Sequence, residues 1–201
     1  DWIAADIVRR LPDVIVVLGD WWDLPSLGTH SEPGSAATEG QRVQDDIAAG
    51  NDAFRRLAGP IQAEIDRRRD KHRKRWEPKR HFLFGNHEHR MARALERDPR
   101  WTGIIGDHHM VTPGFERHAF LNRVWVEGIC FSHYFQSAHS HHAIGGSIDN
   151  RLNRIGASFV QGHEQGFRYG TRIQGSGATW HGLVAGSCYL QREEYRGNQG
   201  Q

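Results

Sequence analysis

The chain has 201 residues, 37% of them hydrophobic and 25% charged, with a formal net charge of +2. That length accommodates one soluble globular domain with a sizeable core and is cramped for two. No apolar stretch approaches the roughly 20 residues needed to cross a bilayer, and no leader-like start is visible, so membrane insertion and secretion are not expected.

Residues 2–11 (WIAADIVRRL) place Ile3, Ile7, Val8 and Leu11 on one helical face. Pro12-Asp13 ends that helix, and VIVVLG (14–19) follows as a continuous apolar run ending at Gly19-Asp20. Such a run reads as a strand buried on both faces, and a helix feeding it predicts α/β architecture. Residues 24–36, rich in Pro, Gly, Ser and Thr, read as loop. Over 37–58, Val43, Ile47, Phe54 and Leu57 keep helical spacing; Gly59-Pro60 then breaks the pattern and Pro60 opens a second helix to about residue 76. This pair reads as a helical hairpin inserted between two strands.

HFLFG (81–85) is the next strand, ending at Asn86-His87-Glu88, and a helix over 88–98 stops before Pro99. RVWVEGICFS (123–132) predicts a hairpin whose buried second arm ends at His133. A helix near 142–154 precedes the short strand ASFVQG (157–162), which ends at His163. Residues 166–174 and 180–190 read as closing strands, giving one domain over 1–190 and a polar tail over 191–201. Cys130 and Cys188 both sit in apolar, strand-like runs, which predicts two buried reduced thiols in a cytoplasmic protein.

Four strands therefore finish in small polar clusters: GDWWD (19–23), GNHE (85–88), SH (132–133) and GHEQ (162–165). Taken singly, each has an ordinary role: Gly-Asp as a turn, Asn-His as a helix cap, a strand-end His as a core or surface residue. Their joint order is more informative. The carboxyl ends of parallel strands face a common crevice, which would bring Asp20, Asn86, His133 and His163 together. A carboxylate can bridge two ions, an amide oxygen is a hard neutral ligand, and imidazoles favour Mn, Fe, Zn or Ni. His87, next to them, suits protonation of a leaving group.

The ordered pattern GDxxD, GNHE, an isolated His after an apolar strand, and GH-x-(H) resembles the calcineurin-like metallophosphoesterases. The likeness runs from the first helix to about Tyr189 and is closest to phage-encoded members. It implies a four-layer α/β/β/α sandwich of two mixed sheets, carrying the helical insertion at 37–76. It also implies that Asp20 bridges two ions, that Asn86, His133 and His163 complete the second ion's shell, and that His87 acts as acid with Asp23 orienting its ring. The family's first motif, an Asp-x-His on the opening strand that would help hold the first ion, is absent ahead of the first helix. Gln165 stands where that ion's last His would be. Manganese is the expected metal, with two ions if an Asp-x-His precedes Asp1 and one otherwise.

Residues 67–80 hold nine Lys or Arg against two acidic residues, leaving 17 basic and 22 acidic residues elsewhere. Arg67, Arg68 and Arg69 are thus candidates for contacting a nucleic acid, or simply the basic end of a helix. Trp21 and His181 are candidate substrate contacts; His30, His108, His109, His139, His141 and His142 read as solvated loop residues. The leading expectation is hydrolysis of phosphodiesters, of a nucleic acid or nucleotide, in the cytoplasm, or the host's if phage-encoded. A phosphomonoesterase and a metal-bearing nucleic-acid binder without turnover are the alternatives. Oligomeric state is not readable.

Overall fold

The computed structural model describes residues 2–28, 39–71 and 74–188. Its fold is mixed α/β, with two sheets and four helices among these residues. The polar tail, His30, and His72 and Arg73 of the basic run lie outside the described residues.

The opening helix α1 (Trp2–Arg10) leads through Pro12 into β1 (Val14–Val17). Strand β2 (Lys79–Leu83) pairs parallel with β1, and β3 (Glu116–His118) pairs parallel with β2, giving the order β1-β2-β3. The register sets Val17 beside Phe82. Ile15, Val17, Phe82 and Phe84 therefore share a face, which packs under α1 and α2 (Val43–Asp70). Phe54 of α2 is fully buried and meets the rings of Trp21, Trp22, Phe82 and Phe115 at centroid distances of 5.1–5.8 Å. Gly50 makes room for this cluster, because a Cβ there would lie 2.0 Å from the Trp22 indole.

The helical hairpin expected over 37–76 is instead one helix. Val43–Asp70 runs unbroken through Gly59-Pro60. Pro60 removes one backbone donor, but Phe54, Leu57, Ala58 and Ile61 form a continuous buried stripe across it, and that packing outweighs the lost hydrogen bond. Trp76 lies beyond the helix, with its indole N–H donating to the Pro12 carbonyl at 2.8 Å.

The second sheet has the order β4-β5-β6-β8-β7. Strands β4 (Val124–Val126) and β5 (Ile129–Ser132) form the predicted hairpin, turning at Glu127-Gly128 with φ of 48° and 78°. Strand β6 (Phe159–Gln161) runs parallel to β5, and β7 (Arg168–Ile173) is antiparallel to β8 (Thr179–Val184). Helix α4 (Ile148–Ile155) buries Ile148 and Leu152 against Cys130, Phe159 and Val184. Helix α3 (His89–Arg97) follows β2 and ends before Pro99, as expected. Cys188, expected to be buried, is exposed because β8 stops at Val184; Cys130 is buried. No helix among the described residues is long and apolar enough to cross a membrane.

Candidate metal centre

Strand β1 ends in a left-handed step: Gly19 has φ of 89° and Asp20 φ of 54°. A side chain in that region is uncommon and is held only where the surroundings fix it. What fixes it is Glu88, a buried carboxylate. Its Oε1 accepts the N–H groups of Trp21 and Trp22 at 2.6 and 2.9 Å, and its Oε2 those of Asp20 and Gly85 at 2.9 and 2.7 Å. One side chain thereby ties the loop after β1 to the loop after β2. Burial pushes the Glu88 pKa up, while the backbone donors partly offset that by favouring its charged form. Gly85 is equally constrained, since a Cβ there would sit 2.1 Å from Asp20 Oδ1.

Asp20, Asn86, His133 and His163 converge as expected. Asn86 Oδ1 lies 2.9 Å from His133 Nε2 and 2.8 Å from His163 Nδ1, and Asp20 Oδ2 lies 3.3 Å from His133 Nε2. His133 comes from the end of β5 and His163 from the end of β6, whose parallel pairing aligns Ser132 with Gln161. The chain turns at His163 with φ of 66°, closed by the Glu164 N–H donating to the Gly162 carbonyl at 2.8 Å. Strain of this kind at two of the four positions fits a site whose geometry is imposed by the fold.

The donor set could hold a cation. His133 Nδ1 donates to the Leu18 carbonyl at 2.6 Å, which directs Nε2 toward Asp20 Oδ2 and Asn86 Oδ1, both acceptors. A proton on Nε2 or a metal ion among these atoms reconciles them. Burial opposes a charged His133, but the Asp20 carboxylate outweighs it and raises the ring's pKa above its ordinary value. Burial likewise pushes the Asp20 carboxyl up, and hydrogen bonding to His133 reverses this to hold it low. Burial, reinforced by His133, lowers the His163 pKa and keeps that ring available as a neutral ligand. One carboxylate, one amide oxygen and two imidazoles suit a divalent transition metal.

His87 stands at the rim, its Nε2 3.9 Å from Asp20 Oδ2. Its Nδ1 donates to Asp23 Oδ1 at 2.6 Å, the orienting contact expected from the sequence, and this bond is the main cause of a lowered Asp23 pKa. Sequence reasoning missed two partners. Arg90 donates from Nη2 to His87 Nε2 at 3.1 Å and from Nη1 to the Asp23 carbonyl at 2.7 Å. It stands three residues after His87, the spacing that puts side chains on one helical face. Glu88, the last letter of GNHE, was visible in the motif, but its clamping of the Asp20 loop was not.

The other candidates are placed elsewhere. Trp21 donates its indole N–H to the Gly50 carbonyl at 3.0 Å and packs on Phe54. Arg67 and Arg68 pair with Glu64, and Arg69 with Asp66, at 2.6–2.7 Å. From Gly50, beside the Trp21 loop, to Arg67 the helix rises about 25 Å, so these three cations lie away from the ligand cluster. His181 faces Tyr169, its Nδ1 2.7 Å from the hydroxyl, about 10 Å back along β8 from the strand end beside Gln161. Gln165 gives its carbonyl to Ser187 N–H at 3.1 Å, while Glu164 pairs with Arg151 at 2.5 Å. His139, His141 and His142 occupy an exposed loop, and His108 and His109 an exposed turn.

An apolar cavity of about 550 Å³ lies beside the centre, lined by Phe84, Met91, Leu95, Ile105, His118 and Phe120 among others. Phe120 stacks on His89 at 4.7 Å and reaches the His133 ring at 6.3 Å, forming the wall between cavity and ligands. No protein-family model, curated protein or solved structure matches this chain.

Proposed function

We propose that this chain is a metal-dependent phosphoesterase, acting on phosphodiesters such as those of a nucleic acid or nucleotide. The observation that carries the proposal is the convergence of Asp20, Asn86, His133 and His163 beside a histidine already oriented by a carboxylate. The four residues would hold a divalent ion, manganese first among the candidates. When bound, such an ion polarises a phosphoryl oxygen and lowers the pKa of bound water. His87, held through Nδ1 by Asp23, presents Nε2 at the rim, where proton exchange with a leaving oxygen would replace its contact with Arg90. Arg90 adds positive charge where phosphate charge accumulates. The neighbouring cavity is within the size range for the organic part of a small ester.

The order of these motifs also supports membership of the calcineurin-like metallophosphoesterases, phage-encoded members in particular. With it goes a four-layer sandwich in which the helix-free faces of the two sheets stack. A second ion would draw on Gln165 and an Asp-x-His preceding Asp1. Gln165, standing where the resemblance places an imidazole, favours a one-ion binder instead. In that reading residues 67–80 would contact nucleic acid without turnover.

Hydrolysis of bis-p-nitrophenyl phosphate and p-nitrophenyl phosphate with Mn²⁺ separates these readings. Diester turnover is expected, falling about 10²–10⁴-fold in His87→Ala. Faster monoester turnover would indicate a phosphomonoesterase. Equal rates for wild type and His87→Ala would refute the enzymatic reading.

A further inference from the structure

Strand β3 is short and polar, yet two of its side chains meet one from β2 at a point with its own ligand geometry. The parallel register pairs His81 with Glu116 and Leu83 with His118. Because strand side chains alternate with a period of two, His81, Glu116 and His118 fall on one face of the sheet. His81 Nδ1 lies 3.0 Å from His118 Nε2 and 3.3 Å from Glu116 Oε2, and His118 Nε2 lies 3.9 Å from Glu116 Oε1. Ligand atoms about 2.0–2.1 Å from a tetrahedral zinc ion are about 3.3–3.4 Å from one another. The three observed separations, the two to Glu116 each taken to its nearer carboxylate oxygen, bracket that value.

We propose that His81, Glu116 and His118 form a second metal site that takes a zinc-like divalent ion. Two imidazoles and a carboxylate are a donor set that zinc uses, with a fourth position left open. Both rings are largely buried, with 13% and 15% of their side chains exposed, whereas Glu116 is 67% exposed and offers the open side. The site shares no residue with the Asp20 centre, and the five residues from His81 to Asn86 span at most about 16 Å. A bound ion would staple the three-residue strand β3, which among the described residues pairs with β2 alone, onto the sheet.

The test is zinc stoichiometry on the full chain by equilibrium dialysis, with thermal unfolding followed alongside. Wild type is expected to bind one more equivalent than His118→Gln, and at least tenfold weaker zinc binding at this site is expected in Glu116→Gln, whose exposed position leaves the fold intact. Asp20→Asn should keep this equivalent and its zinc-dependent rise in Tm, which separates it from the phosphoesterase centre. In the Asp20→Asn protein, one equivalent of zinc should shift the imidazole NMR resonances of both His81 and His118. Unmoved resonances, or unchanged stoichiometry and affinity in both His118→Gln and Glu116→Gln, would overturn the proposal and leave the pair as two histidines sharing a proton.

Discussion

Replacing Glu88 by Gln keeps the side chain's shape and alters only its hydrogen-bonding capacity. Each carboxylate oxygen accepts two backbone N–H groups, Trp21 and Trp22 on Oε1, Asp20 and Gly85 on Oε2. Whichever way the amide is turned, its NH₂ faces two donors that then lack an acceptor. Leaving a buried donor unsatisfied costs about 1–3 kcal/mol, so the two together cost about 2–6 kcal/mol. Glutamine also removes the burden of burying a charge, the reason the Glu88 pKa is raised. A net loss of about 2–4 kcal/mol follows, or a fall in Tm of roughly 4–16 °C for a chain of this size. Because the same loop carries Asp20, affinity for Mn²⁺ should fall at least about tenfold. Urea unfolding and metal titration on purified protein measure both. A stability change below about 0.5 kcal/mol with unaltered metal affinity would refute the clamp.

Gly85→Ala should abolish metal binding at the Asp20 centre, read by calorimetry, since its Cβ would overlap Asp20 Oδ1. Pro60→Ala should raise stability by about 1–3 kcal/mol in urea unfolding by restoring an interior helix hydrogen bond; a loss would mean that α2 depends on a bend at Pro60. The raised His133 pKa makes opposite predictions for the two states of the centre. Without metal, the stability from the charged His133–Asp20 pair is present below the ring's ordinary pKa and is lost as pH rises through the raised value. Metal affinity, which needs the deprotonated ring, should climb with pH over the same window, and paired unfolding and metal titrations across that range check both slopes.

The motif-bearing ends of β1, β2, β5 and β6 were legible because each is a local event: an apolar run that stops at Gly or Ser and a metal-capable side chain. The β4–β5 hairpin and helices α1 and α3 were legible for similar reasons, each marked by spacing and a stop signal. Strand β3 was not, since Glu116-Arg117-His118 has no apolar pattern and becomes a strand only by pairing with β2. Helix α2 defeated the local rule at Pro60 because its own buried aromatic and aliphatic stripe, packed against residues from other parts of the chain, outweighs one lost hydrogen bond. Glu88 was readable as a motif letter but not as the clamp on the Asp20 loop.

By itself, then, the sequence determined which metal-capable side chains stand at strand ends. Tertiary structure decided which of them meet. Asn86 reaches both His133 and His163, while Arg67 and His181 fall well away from the centre. Convergence depends on strand register and on contacts between residues far apart in the chain, such as the Leu18 carbonyl that orients His133 from 115 positions away. Local patterns carry no record of those contacts.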